Sequence, residues 1–314
     1  MRRLRRYLGA GRRRIRARLA ALRTWLMTRV FLPRRSGSAA LLRYAALLDG
    51  QTLNLHAELP DSLPSVDRAQ LLVRRRRRRH RVPVAVYESG DRLLMDAAVL
   101  FGDEAGGLPL TRGRWKLRLR VTAGRRSRTL PLVLWDIPMP TSGPTQAMKA
   151  SPLTGDRYRV SRTVRGDLRV VCSAATPAAE LANVHVEHAR VEVDLYLFGV
   201  WAEEPVAEFV AAGRSVDRPL FEVVPGLWRV DVPLAEMVPE PGRRQHWDVM
   251  VHAEGHHRPL RLARRLHDVR DPDRVFGMRK IMVAPQRQQL MVVEPRYTPA
   301  GNFRLTCDRG AEGK

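Results

Sequence analysis

The chain is patterned most clearly where apolar and polar positions alternate one by one. Residues 115–121 read Trp, Lys, Leu, Arg, Leu, Arg, Val, which puts Trp115, Leu117, Leu119 and Val121 on one side. A polar turn at 122–127 and an apolar run at 130–135 follow. The pattern returns late in the chain, with Trp247, Val249, Val251 and Ala253, a turn at 254–257 and a second run at 258–262. A period of two is what a strand shows when one face packs on a core and the other meets water. Both stretches therefore predict a strand, a hairpin turn and a strand.

Similar short runs extend this reading. A first domain over 40–138 holds strands near 52–58, 70–73, 82–87, 93–100, 114–121 and 129–135. Residues 139–155, with Pro140, Gly143, Pro144 and Pro152, have little periodicity and read as a linker. A second domain over 156–307 holds strands near 168–173, 184–198, 206–211, 219–223, 227–232, 246–253 and 258–262. Residues 264–274 read as a short helix, 281–284 and 290–293 as a strand pair, and a C-terminal hairpin closes the domain before a tail at 308–314. An Arg-Tyr pair precedes a glycine and a short strand three times: Arg43-Tyr44 with Gly50, Arg157-Tyr158 with Gly166, and Arg296-Tyr297 with Gly301. Glycine suits a positive φ before a strand. The tyrosines lie 114 and 139 residues apart and the tryptophans 132, so the repeating unit is a whole domain. Short strands with glycine and proline at the turns predict an all-β chain of tandem β-sandwiches.

Residues 1–36 follow a different period. Leu4, Leu8, Ile15, Leu19, Leu22, Leu26 and Val30 fall on one side of a helix. Arg12, Arg13, Arg14, Arg16, Arg18 and Arg23 fill most of the remainder, Trp25 and Phe31 add bulk, and Pro33 stops the helix. A basic amphipathic helix lies well on an anionic membrane surface. Docking on the protein's own β domain, or on nucleic acid or another partner, fits the same pattern. The charge sharpens this picture. The chain carries 56 Lys plus Arg against 32 Asp plus Glu, a net +24. Residues 1–35 hold thirteen arginines and no acid, which leaves +11 for the other 279 residues. Such a field favours anionic partners, although an arginine-biased proteome produces the same excess. No apolar run approaches the ~20 residues of a spanning helix, no signal-peptide pattern is present, and two cysteines suit a reducing compartment. The expected location is cytoplasmic, peripheral to the membrane.

Candidate chemistry is sparse. Arg74, Arg75, Arg76, Arg77, Arg78 and Arg79 run consecutively, at a hairpin or strand end matched by 185–198 in the second domain. They form either an anion-binding patch or a solvated turn. His252, His256 and His257 cluster, but comparison with 123–126 makes them hairpin-tip residues before a metal site. His185 and His188 sit on opposite faces of a strand, Asp271 and Asp273 have a spacing common by chance, and Arg165-Gly166-Asp167 reads as a turn. Cys172 and Cys307 each follow the repeat glycine by six residues, as buried apolar side chains or as a disulfide. Trp115 and Trp247 read as core anchors, with carbohydrate stacking as the functional alternative. No catalytic residue, metal or cofactor is assigned.

Arg296-Tyr297-Thr298 with Gly301-Asn302-Phe303-Arg304-Leu305 resembles a motif in immunoglobulin-like β-sandwich modules. Such modules follow the catalytic domain in bacterial wall-polymer glycosyltransferases of the wall teichoic acid type, and the basic N-terminal helix resembles those of peripheral enzymes in the same pathways. The resemblance implies immunoglobulin-like sandwiches and an accessory role, because no nucleotide-sugar domain is visible. The leading expectation is a non-enzymatic, membrane-surface-associated accessory or scaffold protein for an anionic cell-envelope polymer, with a polymer or a partner enzyme as ligand. The alternatives are a nucleic-acid or polyanion binder using the basic tail and Arg74 to Arg79, and a glycosyl or glycerophosphate transferase with an unrecognised site.

Overall fold

A computed structural model of the chain describes residues 37–63, 65–134, 145–187, 190–267, 269–270, 278–286 and 289–309, with positions 19, 21, 22, 24–26, 29, 30 and 275 besides. The expected N-terminal helix, with Arg12, Arg13, Arg14, Arg16, Arg18 and Arg23, falls outside the described residues except at scattered positions. Trp25, one of these, is 56% exposed. His188, Asp271 and Asp273 also lie outside them. The described chain is all-β and forms two units, the first ending at Ser173 and the second running from Ala174, together with Pro144–Gln146. Among the described residues no helix is long and apolar enough to cross a membrane.

In the first unit the strands are β1 (Ala40–Leu47), β2 (Thr52–Glu58), β3 (Arg68–Arg75), β4 (Arg78–Ser89), β5 (Arg92–Leu100), β6 (Gly113–Ala123), β7 (Arg126–Leu134), β8 (Arg157–Arg162) and β9 (Leu168–Ser173). Seven of them close a ring in the order β3-β4-β5-β2-β1-β7-β6, with β6 returning to β3. Closure depends on two strands that change partner midway. β4 pairs with β3 through Val84 and with β5 from Ala85, while β7 pairs with β6 through Pro131 and then runs parallel to β1 from Leu132. Alternation explains the core. Leu53, Leu55 and Ala57 on β2, Ala69, Leu71 and Val73 on β3, and Trp115, Leu117, Leu119 and Val121 on β6 all point inward and are buried. Trp115 also places its one polar atom, with Nε1 donating to the Thr111 carbonyl at 2.8 Å.

β8 and β9 correct the expected boundary, because β9 pairs with residues 113–116 of β6 and Tyr158, Val160, Leu168 and Val170 join the first core. The expected second domain from 156 therefore loses its first two strands, since β6 has a free edge there that β7 leaves uncovered.

The second unit contains β10 (Ala178–Val186), β11 (Val191–Phe198), β12 (Val206–Ala211), β13 (Arg214–Pro219), β14 (Phe221–Val224), β15 (Leu227–Asp231), β16 (Arg244–His252), β17 (Leu260–Arg264), β18 (Ile281–Gln286), β19 (Gln289–Tyr297) and β20 (Phe303–Asp308). Its pairings follow the same order as those of the first. β10 lies antiparallel to β11 and parallel to β17, β11 pairs with β15, β12 with β13 and β16, and β20 sits on β16 with β19 beyond. Cys172 opposes Gly113 and Cys307 opposes Gln245, each two residues before the strand's tryptophan. Both cysteines are buried and free, and burial pushes their thiols up, to about 11 for Cys172 and about 12 for Cys307. The tyrosines do not match: Tyr158 opposes Cys172, Tyr297 opposes Phe303 at the far end of its pair, and Tyr44 lies inside β1. The match for the six arginines is the turn between β12 and β13, not 185–198, which is the β10–β11 hairpin. Residues 264–267 are not helical, and Val269 bridges to Thr145.

Trp115→Ala should cost about 3–5 kcal/mol through the cavity it leaves, read as a lowered urea midpoint for the first unit. A second effect follows from Asp194, which is 4% exposed. Burial works to raise its carboxyl pKa, but hydrogen bonds from Arg229 at 2.7 Å and His185 at 2.6 Å outweigh it and hold the group below the ordinary range. A carboxylate depressed in the folded state contributes stability that is complete above its unfolded value and lost as pH falls through the folded one. Asp194→Asn should therefore lower the urea midpoint at neutral pH and flatten the acid side of the stability curve below about pH 4.

Candidate anion-binding face

The side chains that alternate with the first unit's core form a second feature. Strand register sets Ser161, Arg169, Lys116, Arg74 and Arg79 directly opposite one another across β8, β9, β6, β3 and β4. The next row along β6 is Pro131, Arg118, Leu72 and Arg81, and the one after it Thr129, Arg120, Gln70 and Pro83. Arg68 lies opposite Thr122 at one end, and Arg114, Val171 and Arg159 form a row at the other. These positions carry no acid. Among the described residues none of these cations shares a salt bridge with a carboxylate, whereas Arg43, Arg92, Arg190 and Arg229 elsewhere all do.

The geometry makes the arrangement costly. Neighbouring strands stand about 4.8 Å apart, so Arg169, Lys116, Arg74 and Arg79 are four cations rooted side by side. Like charges directly opposite each other on a sheet destabilise it. Arg169 is half-buried, and its Nε is buried with no hydrogen-bond partner. A buried donor left unsatisfied costs free energy unless a ligand supplies the acceptor.

The second unit shows that the scaffold does not require this. Asp248, one residue after Trp247 as Lys116 is after Trp115, takes both nitrogens of Arg304 at 2.7 and 3.0 Å. Arg304 holds the slot that Arg169 holds in the first unit. Arg244 pairs with Asp308 at 2.9 Å and His252 with Glu208 at 2.8 Å. Matching sheet faces thus carry paired acids in one unit and cations with no acid among them in the other.

The six consecutive arginines divide between the two sides. Arg74 and Arg79 join the cationic row, while Arg76 and Arg77 form the turn, with Arg76 at φ 51°. Arg75 donates to Thr111 Oγ1 at 2.9 Å, and Arg78 lies opposite it on the hairpin. Lys116, Arg118, Arg120 and Arg169 also belong to the face, although none of them stands out in the sequence as a candidate. For Lys116, Arg118 and Arg120 the signal is the identity of the polar positions in 115–121, all of them cations, whereas nothing local marks Arg169. His256 and His257 lie in the turn after β16, and Gly166 lies in the turn between β8 and β9. On the outer side of β2 and β5, His56 Nδ1 lies 2.6 Å from Asp96 and Tyr87 donates to the same carboxylate at 2.7 Å. The His56 and Tyr87 hydrogen bonds hold Asp96 below the usual carboxylate range.

No family model matches the chain, and no curated protein matches it. Among solved structures it is similar to the 217–571 fragment of S. aureus TarS, at a TM-score of 0.33 and 12% identity, covering 72% of this chain and 62% of that one. The longer S. aureus TarS structure gives 0.32 and 13%, covering 72% and 39%. The pullulanase of Anoxybacillus sp. LM18-11 complexed with maltotriose gives 0.18 and 9%, covering 71% and 25%. The chain thus spans less than two thirds of the TarS fragment, and likeness at this level carries no functional inference.

Lys116→Glu should give the first unit the ion pair that Asp248 gives the second, stabilising it by about 0.2–1 kcal/mol, read as a raised urea midpoint, while weakening capture by a polyanion column. A variant that lost stability would show that the row is not under repulsion.

Proposed function

We propose that the chain is a non-enzymatic binding protein of two tandem immunoglobulin-like β-sandwiches, which holds a linear phosphate-bearing polymer on the cationic face of its first unit. In this reading it serves as an accessory or scaffold for an anionic cell-envelope polymer. The supporting observation is the row of Arg169, Lys116, Arg74 and Arg79 with no acid on the face around it. In that row cations stand about 4.8 Å apart across strands, and along β6 Lys116, Arg118 and Arg120 recur about 6.7 Å apart. An extended polyanion can follow these spacings with successive phosphates. Arginine offers each phosphate a planar fork of donors.

The outward positions of these rows hold no Trp, Tyr or Phe. Single-stranded nucleic acid is held largely by stacking bases on aromatic rings, so the face favours a polymer that offers charge alone. The tail with Arg12, Arg13, Arg14, Arg16, Arg18, Arg23 and Trp25 would lie on an anionic membrane surface near which such a polymer is made.

The test titrates the full chain with fluorescent polyglycerol phosphate and with single-stranded DNA of equal charge over a salt series. We expect comparable affinities, each falling steeply with salt. Combining Arg74→Gln, Lys116→Gln, Arg118→Gln and Arg169→Gln should weaken both and reduce the log–log salt slope by roughly 0.7 for each phosphate no longer neutralised. An unchanged slope would sink the assignment to this face. DNA binding tenfold tighter than polymer binding would favour the nucleic-acid reading instead.

A further inference from the structure

The second unit contains a cavity of about 620 Å³ that the polymer-binding reading does not use. It opens beside the parallel pair of β10 and β17, between Leu181 and Val184 of β10, Leu266, Met278 and Ile281, and Pro295 of β19. These walls are apolar, whereas the remaining lining includes Arg264, Arg265, Arg279 and Lys280 with no carboxylate among them. Two of the cations are already engaged. Lys280 lies 3.7 Å from Glu294, and the Arg265 guanidinium sits 5.3 Å from the centre of the Tyr196 ring. Among the described residues Arg264 and Arg279 have no ion-pair partner. The buried Glu180 accepts a hydrogen bond from the Leu266 amide at 3.0 Å, which fixes the segment carrying Arg264 and Arg265.

An apolar cavity of this size with a few charged groups at its edge is typical of a small-molecule site. Val186, which also lines the cavity, is 42% exposed, so apolar surface continues to its mouth. Apolar walls call for a hydrocarbon body, and two uncompensated guanidiniums call for an anionic head that accepts several hydrogen bonds. We propose that this cavity binds an anionic amphiphile, with its hydrocarbon chain between Leu181, Met278 and Ile281 and a phosphate head on Arg264 and Arg279. The site is independent of the cationic face of the first unit, so either can fail without the other.

Calorimetric titration of the full chain with octyl phosphate, kept below its micellar concentration, tests this directly. One molecule should bind per chain. Octyl glucoside and inorganic phosphate, which each lack one half of the ligand, should bind at least about tenfold more weakly. Arg264→Gln with Arg279→Gln should reduce octyl phosphate binding by a similar factor, and Ile281→Trp should remove it by filling the cavity. Val184→Trp repeats that second test should Ile281→Trp unfold, with near-UV circular dichroism reporting the fold. Arg74→Gln with Lys116→Gln in the first unit should weaken polymer binding yet leave octyl phosphate binding as it is. Equal affinity for octyl glucoside would overturn the assignment of the head, and octanoate binding as tightly as octyl phosphate would overturn the choice of phosphate. Binding that survives both cavity-filling variants, or is lost with the Arg74 and Lys116 pair, would place the amphiphile elsewhere and overturn the site.

Discussion

The strand from 113 to 123 has both of its edges occupied, and the rest of the first unit depends on that constraint. β3 pairs along one edge, while β9 and β7 share the other. With no freedom to rotate, its side chains alternate strictly between interior and exterior. Trp115, Leu117, Leu119 and Val121 become the centre of the core, and Lys116, Arg118 and Arg120 must therefore share the outer face. A register slip of one residue would exchange the two sets, burying three cations and exposing an indole. Core and candidate site are thus positioned by the same backbone hydrogen bonds.

The two units also show how one framework carries different surface chemistry. Acids at 248, 208 and 308 neutralise the second unit's outer face. The first unit has Lys116 in the slot of Asp248 and retains the repulsion, including a guanidinium nitrogen of Arg169 with no acceptor. Marginally stable proteins tolerate such local cost mainly where function benefits. An arginine-rich background would place basic residues on both faces alike and does not explain why only one is left uncompensated.

Much of the architecture was legible in the sequence because period two is a local signal. The two tryptophan strands, their hairpin turns and most other strands could be read from runs of five to nine residues. Pairing between distant strands has no such signature. Nothing in residues 157–173 indicates that they add to β6, so the sequence pattern starts the second domain at 156, ahead of the first unit's end at Ser173. The arginine run drew attention because it is contiguous, yet only Arg74 and Arg79 of its six belong to the outward row. Arg169 comes from a strand more than fifty residues away from Lys116 in sequence, and only register places the two side by side. The amphiphile cavity was invisible for the same reason, since its walls come from segments near 181, 264, 279 and 295.

The difference between β4 and its counterparts has a further consequence. In the first unit one twelve-residue strand turns the corner between β3 and β5 and leaves the seven-stranded ring without an edge. In the second unit the same path is broken at Leu220 into β13 and β14, which pair with different neighbours and not with each other. The break leaves β13 paired with β12 alone and β14 at the edge of its sheet, paired with β15 alone. Free strand edges are what an incoming strand recognises. Arg214, Asp217 and Arg218 along β13 act as gatekeepers against unwanted pairing there. The exposed Phe221, Val223 and Val224 of β14 carry no such protection. Intermolecular strand exchange, where it occurs in this protein, would therefore begin at β14.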